Sequence, residues 1–264
     1  MERVDSMRVY VMGNGMNVGS AKSDLYAVAA PGETICFPSW TVLIRHPEAD
    51  ILFDAAAHKL PDRQLPFVLK HLKMREEDTP PARLRQIGLT PEDIDIVYLT
   101  HMHCDHIGYL DAFPNARILV SETEFTSNMR DYGLGQMQAH KDMEYYIGRR
   151  LNWELVPDDF QTRELLPGLT MYNFGRGHAY GLLGLMIDLP KSGRKLLVGD
   201  AIYSAESMGP PRNPPGGFCV DREGWDRTVD YILDVAGQTG AEIWYGHDLA
   251  QFSGLVKSPE GYYE

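Results

Sequence analysis

Val97–Gly108 reads VYLTHMHCDHIG, an apolar strand-like run that passes directly into His101-x-His103-x-Asp105-His106. In an extended chain side chains alternate, so His101 and His103 point the same way and can grip one metal ion. The β pattern is then lost and Gly108 follows, which predicts a turn that swings Asp105 and His106 towards a second position beside the first. Clustered histidines and an aspartate are costly to bury unpaired, so this motif has no cheap core explanation and reads as metal binding. Neutral imidazole and carboxylate are the usual ligands of catalytic zinc, whereas closed structural sites lean on cysteine. By the same alternation Cys104 projects away from its two histidine neighbours and is not counted as a ligand.

Three more candidate ligands stand where a strand-like run stops. KLLVGD ends at Asp200, EIWYGH ends at His247, and His178, in FGRGHAYG, follows the run Thr170–Phe174. Taken singly, an Asp or His at a strand end is most often a cap or a turn residue. Taken with the motif, they divide naturally: His101, His103 and His178 around one metal, Asp105, His106 and His247 around the other, and Asp200 between them. A bridged pair of this kind can share a hydroxide and so make a nucleophile at neutral pH.

Around these residues lie β-like runs at Arg8–Met12, Thr41–Arg45, Ile51–Asp54, Asp95–Thr100, Arg117–Ser121, Thr170–Phe174, Gly184–Leu189, Lys195–Gly199 and Glu242–Tyr245. Each is rich in Val, Ile, Leu or Tyr and bounded by turn residues. Trp225–Gly237 predicts a helix with Trp225, Val229, Ile232, Leu233 and Ala236 on one apolar stripe. Pro80–Ile87, Glu122–Arg130 and Gln136–Arg150 are further helix candidates. The order of elements predicts an α/β protein, an αββα sandwich of two mixed sheets with helices on the outer faces. Gly209–Gly217 (GPPRNPPGG) and Gly13–Gly19 (GNGMNVG) read as loops, the second with glycine spacing unsuited to a dinucleotide site. Met16, Trp40, Phe67 and Met137 could line a substrate channel, but such residues are more often core and are left out of the site. His46, His58, His71 and His140 lack strand-end context and read as surface or satisfied histidines.

The 264 residues fit one domain, 1–264, with 44% hydrophobic and 23% charged residues, as expected of a globular chain. A net charge of −12 opposes binding to nucleic acid or anionic lipid. Three scattered cysteines suggest no disulfide framework, and no signal-like or membrane-spanning run is present, so a cytoplasmic protein is expected.

With its HxHxDH motif at His101–His106 and the later His178, Asp200 and His247, the chain resembles the metallo-β-lactamase superfamily. That likeness spans nearly the whole sequence and itself implies the αββα fold and a dinuclear site. Within the superfamily it is similar to the N-acyl-homoserine lactone lactonases: Tyr203 in GDAIY matches their D-A-x-Y, and YGHDLAQF and KSPEGYYE resemble the same branch. Two departures stand out. Phe53-Asp54-Ala55-Ala56 replaces the superfamily's F-D-T-G, and Leu182 stands where many lactonases have a second histidine. The resemblance implies a quorum-quenching hydrolase that opens the ester ring of a small lactone by attack of a metal-bridging hydroxide. Tyr203 would polarise the carbonyl and Asp105 would relay a proton to the leaving oxygen. It further implies two divalent ions, zinc first, with iron, cobalt or manganese also suited to these ligands, and a homodimer. The rival readings are a thioesterase or other carbonyl hydrolase of the same fold, and a metal- or ligand-binding domain without turnover.

Overall fold

In the computed structural model, which describes residues 4–57, 70–136, 146 and 149–264, the apolar runs pair into two mixed sheets. The first is seven-stranded, in the order β4 (Leu72–Lys73), β1 (Arg8–Ala21), β2 (Thr34–Arg45), β3 (Asp50–Phe53), β5 (Ile96–Tyr98), β6 (Arg117–Ser121) and β7 (Trp153–Val156). β4 to β3 pair antiparallel, and β3, β5, β6 and β7 pair parallel. The second is five-stranded, in the order β12 (Glu242–Tyr245), β11 (Gly193–Gly199), β10 (Leu182–Leu189), β9 (Leu169–Gly175) and β8 (Thr162–Leu166), antiparallel except for the β11–β12 pair.

The central strands of both sheets are apolar on both faces, and the alternation shows where each face goes. Val42, Ile44, Ile51, Phe53, Ile96 and Tyr98 meet Leu183, Leu185, Ile187 and Leu197 in the core between the sheets. The intervening Leu43, Leu52, Val97, Ile118 and Val120 pack outward, in one cluster with Leu84 of α2 (Pro80–Gln86) and, at its edge, Phe125 and Met129 of α3 (Glu122–Gly133). On the other side Leu182, Met186, Leu196 and Val198 bury Trp225, Val229, Ile232 and Val235 of α4 (Arg222–Thr239). The expected αββα layering is therefore present. α4 is capped by Asp221, which accepts from the Gly224 N–H, and ends at Gly240 in the left-handed region (φ 67°). Its buried stripe takes Val235 where the sequence reading had Leu233, which is exposed.

Other differences have local causes. Gly13–Gly19 is no loop: β1 runs through it to Ala21, paired with β2, with register shifts at Gly13/Gly15 and Val18/Ser20. These bulges erase the alternation that marks a strand. Gly15 (φ 129°) is required there, because a Cβ would stand 2.8 Å from the Lys73 carbonyl oxygen of β4. The short β4, and β7 and β8 with their polar faces, left no apolar alternation to read. Most of the Gln136–Arg150 helix candidate, together with His58, Phe67, Met137 and His140, lies outside the described residues. No helix among the described residues is long and apolar enough to cross a membrane.

A buried polar contact crosses the apolar core. The Tyr98 hydroxyl of β5 donates to the Gly184 carbonyl of β10 at 2.8 Å, both groups buried. Tyr98→Phe is expected to lower stability by about 1–2 kcal/mol, read as a lower urea midpoint at unchanged slope. An unshifted midpoint would mean that this link contributes nothing to holding the sheets together.

Candidate metal centre

The C-terminal ends of five strands meet at one edge of the sandwich. β5 leads to His101, His103, Asp105 and His106, β9 to His178, β11 to Asp200 and β12 to His247, while β3 ends on Asp54. Ligand atoms of His101, His103, His178 and Asp200 lie within 4.8 Å of one another, as do those of Asp105, His106, Asp200 and His247. Asp200 belongs to both groups. All seven candidate ligands are thus brought together in the division read from the sequence, and Cys104 is in neither group, packed instead with Ala57 and Leu72.

Whether these groups suit a cation is decided by where the ring hydrogens go. A carbonyl oxygen can only accept, so His178 Nδ1–H donates to Phe218 O (2.7 Å) and His247 Nδ1–H to Pro38 O (2.9 Å). His106 Nδ1–H donates to the Asp54 carboxylate at 2.8 Å. Thr100 Oγ1 donates to that same carboxylate (3.0 Å to Oδ2) and accepts from His101 Nδ1–H at 2.9 Å. In the neutral rings this leaves the Nε2 lone pairs of all four pointing inward. His178 Nε2 then faces His103 Nδ1 at 2.8 Å and His101 Nε2 at 3.3 Å. His106 Nε2 and Asp200 Oδ1 are buried with no aligned hydrogen-bond partner. Converging lone pairs and orphaned buried acceptors are what a divalent cation satisfies, so the donor set fits one in each group.

Charge tells the same story. Burial works against an imidazolium at His106, yet the carboxylates of Asp200, Asp54 and Asp105 outweigh it and hold its pKa well above the ordinary histidine value. His247 is likewise buried and likewise raised, chiefly by Asp200. Burial pushes His178 down. Asp200, although buried, is held well below the usual carboxylate range by His247 and His106. The buried carboxylates thus favour positive charge at this point of the site, and a bound cation supplies it.

The sequence reading missed Asp54 as a functional residue. It flagged the Asp54–Ala56 turn only as a departure from a pattern, but Asp54 (φ 59°) and Ala56 (φ 55°) both adopt left-handed backbone. Ala in that region is strained, by about 1 kcal/mol. The turn is held by hydrogen bonds from the Ala55 N–H to His106 O and from the Gly108 N–H to Ala56 O, both 2.7 Å. The available signal was position: ILFD is a strand ending on a carboxylate, like KLLVGD.

Tyr203 lies at the mouth of both groups. Its hydroxyl is 3.3 Å from His178 Nδ1, and its ring stands 5.3 Å from the His178 ring and 5.6 Å from the His247 ring. It lines a pocket with Asp24, Leu25, Phe37, His103, Cys104, Asp105, Asp200, Phe218 and His247. Burial, then the carboxylates of Asp200 and Asp105, push its pKa well up, so the phenol stays protonated. Of the suggested channel residues, Trp40 lines a smaller cavity behind His106 and Met16 faces a separate groove.

The profile of the metallo-beta-lactamase superfamily matches residues 34–247. N-acyl homoserine lactonase AiiB of Agrobacterium fabrum is 42% identical over 187 residues, covering 70% of this chain and 67% of that protein. An N-acyl homoserine lactonase of Bacillus cereus is 28% identical over 250 residues, covering 90% and 92% of the two chains. A solved quorum-quenching N-acyl homoserine lactone lactonase is similar over 100% of both chains, with a TM-score of 0.80 and 25% identity.

Asp54→Asn replaces the acceptor of the His106 hydrogen bond, and of the Thr100 hydrogen bonds behind His101, with an amide that can turn an N–H towards His106. We expect about a 10–100-fold weaker cation affinity, measured by competition with a chromophoric chelator. Wild-type affinity would show that Asp54 orients nothing of consequence.

Proposed function

The chain belongs to the metallo-beta-lactamase superfamily, and from that premise we propose that it is a dinuclear metal-dependent lactonase acting on an N-acyl-homoserine lactone. The observation that carries this reading is the pair of donor groups sharing Asp200 beneath a pocket whose wall presents a protonated tyrosine. Its similarity to proteins named N-acyl homoserine lactonases supports the substrate class.

Two divalent cations held by these groups supply Lewis-acid polarisation of a carbonyl and an activated water at neutral pH. The residues do the rest. Leu25, Phe37, Cys104 and Phe218 give the pocket apolar walls for an acyl-bearing substrate and keep bulk water from the reacting carbonyl. Because His178 Nδ1–H is committed to Phe218 O, the Tyr203 hydroxyl hydrogen is available to the carbonyl oxygen, where negative charge grows as the ring carbonyl is attacked. Asp105 is the most solvent-accessible carboxylate of the two groups, with oxygens 3.8 Å from His106 Nε2 and 3.6 Å from His247 Nε2. It takes the proton released by the attacking water and passes it to the ring oxygen as the acyl carbon–oxygen bond breaks, leaving a hydroxy acid.

Zinc suits the imidazole and carboxylate donors first, with iron, cobalt and manganese as alternatives. A cytoplasmic homodimer working without nucleic acid or membrane completes the proposal.

The test is proton release by metal-replete protein on acyl-homoserine lactones, γ- and δ-lactones, a thioester and a cephalosporin. Turnover of acyl-homoserine lactones, abolished by chelator and restored by added cation, is the expected result; no turnover on any lactone would sink the reading. Tyr203→Phe should lose about 100-fold in kcat/KM at unchanged cation content, and undiminished kcat/KM would remove the tyrosine from the mechanism.

A further inference from the structure

Glu124, in the first turn of α3, is a buried carboxylate that belongs to neither donor group. Its Oε1 accepts from the Met102 N–H at 2.9 Å and from Asn128 Nδ2 at 3.0 Å, and its Oε2 accepts from the Gly181 N–H at 3.0 Å. Met102 lies between His101 and His103, and Gly181 lies three residues beyond His178. One carboxylate therefore ties together the two chain segments that carry every imidazole of the first group. A second tie joins the same two segments, where the Leu183 N–H donates to Thr100 O at 3.0 Å. The His178 segment is also pressed hard on this helix start: a Cβ at Gly181 would stand 2.2 Å from Ser121 Oγ and 3.1 Å from the Glu124 nitrogen.

A carboxylate is the side chain that this arrangement needs. Both its oxygens accept, so it can satisfy a backbone N–H on each side, whereas an amide of the same shape offers one acceptor and sets its NH2 against the other N–H. Burying a carboxylate among neutral donors is costly and pushes its pKa up, so packing alone gives no reason for it.

We propose that Glu124 is a positioning residue for the first cation, holding the His101–His103 and His178 segments at the separation where their three ring nitrogens converge. The inference rests on the two-cation reading and not on the identity of the substrate.

Apo protein titrated with Zn2+ or Co2+ against a chromophoric chelator tests it without substrate. Wild type is expected to take up two cations. Glu124→Gln should keep one at wild-type affinity and bind the other about 10–100-fold more weakly, with the cobalt bands of the three-imidazole group weakened at equal occupancy of the remaining group. Asn128→Ala removes the Nδ2 hydrogen bonds to Glu124 Oε1 and to the Glu124 carbonyl and should weaken the same cation about threefold. A merely structural glutamate would lower the thermal midpoint and leave both affinities at wild type, and that result overturns the proposal. If Glu124→Gln does not fold, Asn128→Ala decides, and unchanged affinities overturn the proposal. Fewer than two cations on wild type would overturn the two-cation reading itself, a different outcome from two cations held equally by wild type and Glu124→Gln.

Discussion

His178 Nε2 and His103 Nδ1 face each other at 2.8 Å in a buried site, and much of the surrounding structure is arranged to bring such nitrogens together. Two lone pairs at that distance repel unless a proton or a cation lies between them. The protein fixes the hydrogens elsewhere, on the outward nitrogens of His101, His106, His178 and His247. The acceptors it uses are a threonine hydroxyl, a carboxylate and two main-chain carbonyls. Ring tautomer is therefore a product of the fold. Because Asp54 serves His106 directly and His101 through Thr100, it couples a ligand of one group to a ligand of the other.

The same requirement explains where the backbone is tight. Asp200 and His247 leave neighbouring parallel strands, and their approach allows no side chain between them. A Cβ at Gly246 would be 2.6 Å from Asp200 Oδ1, and one at Gly199 (φ 50°) would be 2.8 Å from Thr100 Cγ2. The left-handed Asp54–Ala56 turn belongs to the same crowding, with strain accepted in exchange for a carboxylate beneath His106. Strain of this size persists only where both flanks are anchored. β3 on one side and the hydrogen bonds to the His106 segment on the other provide that.

What could be read from the amino acids follows from these facts. Strands apolar on both faces announce themselves, and so do polar residues that follow such a strand at its end, which is how His101, Asp200 and His247 were legible. The layering followed from the order of those runs, whereas the bulged half of β1 was hidden because a bulge breaks the period that identifies a strand. Leu233 shows the limit of a helical stripe: positions 233 and 235 lie on its opposite edges, and only the packing of the sheet decides which is covered. The supports of the ligands were the least legible part. Phe218 and Pro38 act through carbonyl oxygens, which every residue possesses, and Glu124 sits in a helix that looks amphipathic with or without it.

Chemistry and selectivity consequently rest on different kinds of structure. The ligands stand on strand ends locked between two apolar layers, where displacement would disturb the core. The pocket wall is assembled from the short helix α1 (Lys22–Leu25), from β2 at Phe37 and from Phe218 beyond the Pro- and Gly-rich loop, segments that share no periodic pattern. Such a wall can change its side chains without altering the sheets, so its identity is written in tertiary contacts and not in a motif. Phe218 joins the two regimes: its ring stands 5.5 Å from the His103 ring, while its carbonyl fixes the tautomer of His178. A change in the backbone of that loop would therefore reach the cation through His178, whereas a change of its side chain alone would act on the substrate.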